Sequence, residues 1–247
     1  NSIAGTSDIT SGLFSGTDAY GEKWPAFPYE AALPGSSLSK RVTWKPFFWR
    51  NKALETPWIP APIIPISKDS KSIVVAGRGA DNLGMQCGGW TINWQGGQGD
   101  ITIGTTILDG IKKSVSAETN VIYSEDGQDL NDVDGELAVV VIGEDPYTEF
   151  FGDKDNLDLL NDDINTINNL KNKGYKVMVL LISGRPMNIA EHINDWDGFA
   201  AIWLPGSEGD GVSDILFGDF QSTGKLSYPW TPTKDNISRR LINEIVL

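Results

Sequence analysis

The sequence is poor in the residues on which several common kinds of site depend. It has one cysteine, Cys87, and one histidine, His192, among 247 residues. A single cysteine cannot form an intrachain disulfide, and the two residues together are too few for a zinc site. A Ser-His-Asp or Cys-His triad would have to rest on His192 alone. Any hydrolytic chemistry is therefore expected to use carboxylates, without a metal or another cofactor.

Positive charge and long apolar runs are also scarce. Lys and Arg total 20 against 33 Asp and Glu, which gives a formal net charge of -13. Phosphate backbones and anionic lipids repel such an acidic chain, so we expect no nucleic-acid partner and no membrane partner. No stretch is long and apolar enough to span a bilayer. A neutral sugar is indifferent to this charge, whose simplest role is to maintain solubility.

Residues 1–70 differ from the rest of the chain. They are rich in Ser, Gly, Pro and aromatic residues, most clearly at residues 44–50 and 57–62, and show no sustained period of 2 or 3.6. Proline removes a backbone donor, so we expect an irregular leader and linker whose aromatics anchor it to its own domain or face another one. The sequence further predicts an α/β domain over 71–232 and a tail over 233–247.

Five short apolar runs beyond residue 70 predict β-strands. They do not alternate between apolar and polar residues, and continuous β-branched runs are typical of strands buried on both faces. The runs cover residues 72–77, 121–123, 137–143, 176–183 and 199–204.

Helical patterns separate these runs. Residues 105–115 and 160–171 place apolar side chains on one face, the second ahead of a stop at Gly174, and residues 212–217 form a shorter pattern. Parallel strands need such crossover helices. The alternation predicts an α/β fold, a three-layer sandwich with a mostly parallel sheet of about six strands and helices on both faces.

Ligands in such sheets bind at the carboxyl ends of the strands. Three loops that leave strand ends carry unusual residues and are the candidate site. They cover residues 77–97, 143–153 and 183–186.

The first loop combines tryptophan with glycine. Trp90 and Trp94 lie four residues apart beside Gly88 and Gly89. Flat aromatic faces suit the apolar faces of sugar rings, and glycine lets a ligand approach the backbone closely. These residues indicate a sugar contact, with burial of both tryptophans in the core as the alternative.

The same loop begins with a glycine pair that is found in phosphate cradles. Gly77 and Gly79 follow a predicted strand, but the third glycine is misplaced and Asp81 would oppose a phosphate. A nucleotide-binding α/β domain is therefore the least favoured interpretation.

The second loop is acidic. A glycosidase needs one carboxyl group held protonated near neutral pH and a second as nucleophile or base. Tyr147, Phe150 and Phe151 flank Glu149, and apolar neighbours raise the pKa of a carboxyl group by desolvation. The alternative is a solvated acidic turn. The four carboxylates of the loop are Glu144, Asp145, Glu149 and Asp153.

Five motifs, in order along the chain, resemble those of one enzyme family. Together they are similar to the second domain of family 3 glycoside hydrolases, and nearest to the plant and bacterial exo-β-glucanase branch. The motifs are Ala-Asp-Asn-Leu-Gly through Cys-Gly-Gly-Trp-Thr-Ile and Trp-Gln-Gly at 80–96, Gly-Glu through Pro-Tyr-Thr-Glu and Gly-Asp at 143–153, Ser-Gly-Arg-Pro at 183–186, Trp-Leu-Pro-Gly-Ser-Glu-Gly at 203–209, and Asp-Ile-Leu-Phe-Gly-Asp with Thr-Gly-Lys-Leu at 214–226.

The resemblance implies a two-domain enzyme that hydrolyses β-glucosides or β-glucan oligosaccharides with retention. A (β/α)8 barrel supplies the aspartate nucleophile, and the α/β sandwich supplies the acid/base glutamate, which by its place in the motif is Glu149. Trp94 matches the aromatic clamp on the leaving-group sugar, with Trp90 as its support. Gly89 and Tyr147 complete the substrate contacts that we expect.

The chain departs from the family pattern at the barrel. The residues before position 60 are too few for a (β/α)8 barrel, which needs about 200. No Ser-Asp-Trp motif is present, and Asp8, followed by Ile9, is a poor nucleophile candidate. We therefore expect the isolated chain to be inactive and its partner to be a barrel domain in the same or another chain.

The sequence leaves several situations open. The chain could be a piece of a longer enzyme, a subunit of a split enzyme, or a non-catalytic carbohydrate-binding module that uses Trp90, Trp94 and Tyr147 as a stacking platform. The first two predict Glu149, Trp94 and the Gly88–Gly89 turn on one exposed rim with an apolar surface nearby. The start at Asn1 and the family resemblance indicate an extracellular or periplasmic protein.

Overall fold

The strands come from two separated parts of the chain. The computed structural model describes residues 47–49, 63–130 and 135–221. The strands are β1 Phe47–Trp49, β2 Ser72–Ala76, β3 Asn120–Ser124, β4 Leu137–Gly143, β5 Lys176–Ile182 and β6 Gly198–Trp203.

In the described part of the chain, four α-helices and two 3₁₀ turns connect or follow these strands. The helices are α1 Leu83–Cys87, α2 Ile107–Ser114, α3 Asn161–Asn172 and α4 Gly209–Leu216. The 3₁₀ turns are Glu149–Gly152 and Ile193–Asp195.

The described strands form one sheet of six, in the order β1-β6-β5-β4-β2-β3. Strands β2 to β6 pair in parallel, and β1 pairs antiparallel with β6 at the edge. The chain leaves β2 toward β3 on one side and then continues from β4 to β6 on the other side. The crevice between the carboxyl ends of β2 and β4 is thus the topological switch point, where α/β sheets bind ligands.

Both faces of the sheet are covered, because successive strand side chains point to opposite faces. On one face, β-strand residues such as Val140 and Val179 pack in one cluster with Ile167 and Leu170 of α3. The intervening strand residues are equally buried but belong to the other face. The apolar residues of α2 and α4 lie outside the α3 cluster, and these two helices pack on each other. The predicted three-layer sandwich is confirmed.

The ends of the helices follow local rules. The Thr106 hydroxyl accepts a hydrogen bond from the Asp109 amide at 3.1 Å, which satisfies one free donor at the start of α2. Gly174 follows α3 with φ +89°, the left-handed conformation that a helix stop requires. The stop at Gly174 was predicted from the sequence.

Two parts of the sequence prediction were wrong. The leader was expected to be irregular, yet Phe47–Trp49 forms strand β1, which pairs with β6 at the edge of the described sheet. The first strand-end loop was expected to lack regular structure, but Leu83–Cys87 is a helix, whose N-cap Asn82 accepts a hydrogen bond from Met85 N. The tail at 233–247 lies outside the described residues, and so does the leader except for residues 47–49 and 63–70.

Gln86 on α1 ties three backbone segments together from a fully buried position. Its Oε1 accepts a hydrogen bond from Ile107 N at 2.9 Å, and its Nε2 donates to the carbonyl oxygens of Thr105 and Gly206 at 3.2 and 3.0 Å. A buried side-chain amide with all these partners satisfied fixes α1 against α2 and the loop after β6. Sequence reasoning missed it, because nothing local marks a glutamine as buried.

Gln86→Met is expected to lower the free energy of unfolding by about 3 kcal/mol. Methionine preserves the volume but leaves the Ile107 N–H and the Gly206 C=O without their side-chain partner, at about 1–3 kcal/mol each before relaxation, while the Thr105 C=O keeps a hydrogen bond from the Gly209 amide. Urea unfolding followed by circular dichroism measures the change. Gln128→Met at an exposed position is the control, and equal stabilities of the two variants would contradict the role of Gln86.

No described helix combines the length and the apolar composition that crossing a membrane requires.

Candidate functional site

A cleft opens at the carboxyl ends of β4, β5 and β6, beside α1. Its cavity volume is about 120 Å³. Parallel strands bring these ends to the same edge of the sheet, which is where ligands bind in α/β folds. Its lining residues are Met85, Gly88, Gly89, Glu144, Asp145, Pro146, Tyr147, Ser183, Gly184 and Leu204.

Arg78 occupies the switch point between β2 and β4. Its Nε donates to Asp163 Oδ1 of α3 at 3.2 Å, and its two terminal nitrogens donate to the Asp145 carboxylate and the Gly143 carbonyl oxygen. Burial raises the pKa of Asp163, and the Arg78 charge opposes that rise. The arginine therefore joins the first turn of α3 to the start of the acidic loop.

The glycine pair around Arg78 serves packing rather than phosphate binding. A Cβ on Gly77 would lie 2.2 Å from the Val141 carbonyl oxygen. The Gly79 amide donates to that same oxygen at 3.1 Å. Because the backbone of β4 fills the space and takes the amide, the cradle that a nucleotide needs is absent from this part of the described chain.

Arg185 is the second cation at the strand ends. Its Nη2 and Nε donate to Glu144 Oε1 at 2.7 and 3.0 Å, and its Nη1 donates to the Gly152 carbonyl oxygen. The Glu144 side chain is only 4 % exposed. The most buried carboxylate of the acidic loop is thus neutralised by a forked ion pair.

Tyr147 lines the cleft and contacts both members of the Glu144–Arg185 pair. Its hydroxyl donates to Glu144 Oε2 at 3.2 Å, and the Arg185 guanidinium carbon lies 4.4 Å from its ring centroid. On Gly152 a Cβ would lie 2.3 Å from Tyr147 Cδ2. With Arg185 against its ring and Gly152 close by, Tyr147 supports the Glu144–Arg185 pair.

Burial, reinforced by the Glu144 charge, raises the pKa of Tyr147 to about 12. A raised pKa in the folded state gives stability that is complete below the unfolded value of about 10 and is lost as pH rises through the folded value. We therefore expect the stability difference between the wild type and Tyr147→Phe to be constant below pH ~10 and to change toward pH ~12. Tyrosinate absorbance, as a difference between the two proteins, measures the pKa directly. A midpoint near the ordinary value would contradict the packing described here.

Four aromatic side chains form an exposed cluster beside the cleft: Trp90, Trp94, Phe150 and Phe151. The Trp94 ring centroid lies 6.3 Å from that of Trp90, 6.0 Å from Phe150 and 5.7 Å from Phe151. Trp90 is 67 % exposed and Trp94 42 % exposed. The alternative that the tryptophans are core residues is therefore wrong, because both present ring area to solvent.

Glu149 lies in the same cluster, directly before Phe150. It is exposed and has φ +49°, a left-handed conformation that costs a non-glycine residue about 1–3 kcal/mol. Its carboxylate makes no hydrogen bond or ion pair within the described residues. The expected apolar enclosure is not built by this part of the chain, since Phe150 and Phe151 are themselves exposed.

The two loops that carry these residues pack directly on each other. A Cβ on Gly89 would lie 2.3 Å from both Thr148 Cγ2 and the Tyr147 carbonyl oxygen. Gln95 Oε1 accepts a hydrogen bond from the Thr148 amide at 3.1 Å. These contacts connect the residue after Trp94 to the residue before Glu149, so the aromatic platform and the carboxylate share one rim with the Gly88–Gly89 turn.

Sequence reasoning missed Arg78, Arg185 and Gln95 as parts of the site. Both arginines lie in strand-end loops that the sequence analysis had selected. A cation in a loop beside the acidic loop was the available signal for an ion pair. Gln95 gave no signal of its own, because its role depends on the position of Thr148. Within the described residues, no three or more His, Cys, Asp and Glu side chains are grouped to hold a metal ion.

Comparisons with known proteins agree with this architecture. Residues 60–244 match the model of the glycosyl hydrolase family 3 C-terminal domain. A lysosomal beta glucosidase of Dictyostelium discoideum is 29 % identical over 191 residues, which cover 68 % of this chain and 23 % of that protein.

Solved structures give the same result. The Q683A mutant of the exo-1,3/1,4-beta-glucanase ExoP from a Pseudoalteromonas species superposes with a TM-score of 0.63 at 36 % identity, covering 70 % of this chain and 30 % of that one. A beta-glucosidase from Listeria innocua, solved with glucose, shares the fold with a TM-score of 0.59 at 21 % identity, covering 75 % of this chain and 25 % of that one. The chain thus spans less than a third of the length of these relatives. The family match covers most of the chain, and the chain belongs to glycosyl hydrolase family 3 through its C-terminal domain.

Proposed function

We propose that this chain supplies the acid/base half of a retaining β-glucoside hydrolase. Glu149 donates a proton to the leaving-group oxygen in the first step and removes a proton from water in the second. Trp94, supported by Trp90, stacks on the leaving-group sugar. The observation that carries this proposal is an unpaired carboxylate, Glu149, among exposed aromatic rings on the rim of a cleft.

The other carboxylates near the cleft support assigning this role to Glu149. Glu144 is committed to Arg185, and Asp145 is committed to Arg78. An acid/base group must change its protonation state during turnover, and a carboxylate held in an ion pair with arginine resists that change. Glu149 has no such partner among the described residues.

The nucleophile has to come from outside this rim. A retaining glycosidase places its two carboxyl groups about 5–5.5 Å apart on opposite sides of the scissile bond. In this proposal a (β/α)8 barrel domain, in the same or another chain, brings an aspartate to the face of Glu149. The barrel also covers the aromatic cluster, whose exposed ring area is typical of an interaction surface. The isolated chain is then inactive.

The substrate that we propose is a β-glucoside or a β-glucan oligosaccharide. The support is the solved relative at 36 % identity, which is an exo-1,3/1,4-beta-glucanase. Secretion to the periplasm or the cell exterior, where β-glucans are met, completes the proposal.

The test uses the natural gene product that carries this chain, with its intact mass measured on the sample that is assayed. We expect hydrolysis of phenyl β-glucoside by a species of about twice this mass or more, since a barrel adds at least about 200 residues, and no turnover by the 247-residue chain alone. Turnover by the isolated chain at the rate of the natural product would contradict the proposal.

The exposed tryptophan pair favours one second candidate, a non-catalytic carbohydrate-binding module. It predicts that the isolated chain binds laminaribiose or cellobiose by titration calorimetry, that Trp94→Ala abolishes binding, and that Glu149→Gln has no effect. Phe220→Ala is the control, because Phe220 is 44 % exposed, similar to Trp94. An inactive natural product of this mass would favour the module over the enzyme.

A further inference from the structure

We infer that Arg185 is the positioning residue for Glu149, acting as a clasp across the loop that carries it. This inference rests on the function proposed above for Glu149. The loop leaves β4 at Glu144 and ends with the 3₁₀ turn at Gly152. Arg185 contacts both of these residues, although it belongs to the next strand connection.

The geometry of the clasp uses the whole guanidinium group. Nε and Nη2 point to the Glu144 carboxylate, and Nη1 points to the Gly152 carbonyl oxygen. The Tyr147 ring lies against the group at 4.4 Å. One planar cation thus contacts the first residue of the loop, Glu144, a middle residue, Tyr147, and the last residue, Gly152. Lysine, a point charge without a fork, cannot make all these contacts at once.

Glu149 depends on such a contact because no described residue holds its own side chain in place. It has no hydrogen bond or ion pair within the described residues, and its backbone has φ +49°. A strained conformation persists where the surroundings over-determine it. The direction of the Glu149 carboxylate is therefore set by the backbone between Glu144 and Gly152, which Arg185 closes.

Other contacts on the loop do not replace this one. Arg78 binds Gly143 and Asp145, both at the start of the loop. Gln95 holds the Thr148 amide by a single hydrogen bond. Of the described side chains, Arg185 is the one seen to bridge the start of the loop and its end.

The experiment compares leaving groups in the natural gene product. The dinitrophenolate group leaves its glucoside without protonation, whereas the phenolate group of phenyl β-glucoside needs a proton from the acid. We expect Arg185→Lys to lower kcat/KM for phenyl β-glucoside by about tenfold or more and kcat/KM for the dinitrophenyl compound by less than about twofold. Arg185→Met is expected to show a larger split of the same kind. A purely structural defect would lower both values equally.

A control variant and a stability measurement keep the outcomes distinct. Lys68→Met removes an ion pair to Asp219 before β2, and its two kcat/KM values are expected to match the wild type. If Arg185→Met does not fold, Arg185→Lys with an unchanged melting temperature decides. Equal loss for both substrates, or no loss, in Arg185→Lys overturns the inference. If Glu149→Gln itself shows no leaving-group split, the proposed function fails instead.

Discussion

Glu149→Gln is expected to lower kcat/KM for phenyl β-glucoside by about 10²–10⁴-fold in the natural gene product, the usual contribution of a general acid. The amide keeps the volume and the hydrogen-bonding shape of the side chain but has no proton to give. For a dinitrophenyl glucoside, kcat/KM is expected to stay close to wild type, because this ratio reports the first bond cleavage and its leaving group needs no proton. The second step still lacks its base, so kcat falls and the glycosyl-enzyme accumulates.

Azide separates this expectation from a general loss of activity. As a nucleophile that carries no proton to remove, azide replaces water in the second step and is expected to restore kcat of Glu149→Gln for the dinitrophenyl glucoside, with release of a glucosyl azide. Asp155→Asn is the control, because Asp155 is an exposed carboxylate beyond the same 3₁₀ turn. This variant is expected to match the wild type for both leaving groups, with and without azide. An equal loss of kcat/KM for both glucosides, with no recovery of kcat on adding azide, would contradict the assignment of Glu149 as the acid/base residue.

Gly77→Ala is expected to destabilise the fold by about 3–4 kcal/mol, the sum of left-handed strain and overpacking. Gly77 has φ +90°, and a Cβ there would lie 2.2 Å from the Val141 carbonyl oxygen. A backbone oxygen cannot move aside as a flexible side-chain end can. The methyl group would therefore force β2 and β4 apart at the switch point.

Gly174→Ala is the matched control for this change. Gly174 has nearly the same φ, +89°, but a Cβ there meets nothing within 4 Å. It carries the strain without the clash, so we expect a loss of about 1 kcal/mol. Guanidinium unfolding of the isolated chain measures both. Equal losses would mean that strain alone acts at Gly77 and that the close approach of β2 and β4 is unimportant.

Much of the fold was available in the sequence. The apolar runs of β4 and β5 predicted their strands within one residue at each end, because strands buried on both faces admit little else. Helix α3 was predicted from its apolar spacing and the stop at Gly174. The antiparallel strand β1 and the helix α1 were missed, since their few residues carry no measurable period and their pairing partners lie far along the chain.

The candidate site was predicted less completely. Trp94 and Glu149 were selected by residue type and motif, and the structure brings their loops together through Gly89 and Gln95. The exposure of Trp94 had no sequence signal, because a tryptophan near glycines is as compatible with a core as with a rim. Tyr147 lines the cleft and its ring packs against Arg185, and its contact with the sugar stays a prediction.

The sequence by itself determined the alternation of strands and helices, the acidic charge and the chemistry carried at the strand ends. These follow from local periodicity and residue type, which need no knowledge of distant contacts. Tertiary structure alone decided which carboxylates of the acidic loop are paired. Nothing in the linear sequence marks Glu144 and Asp145 as ion-paired, because Arg185 and Arg78 come from other strand ends and reach them only in the folded chain. These two ion pairs are thus a consequence of the order of strands in the sheet, because that order places each arginine beside its carboxylate.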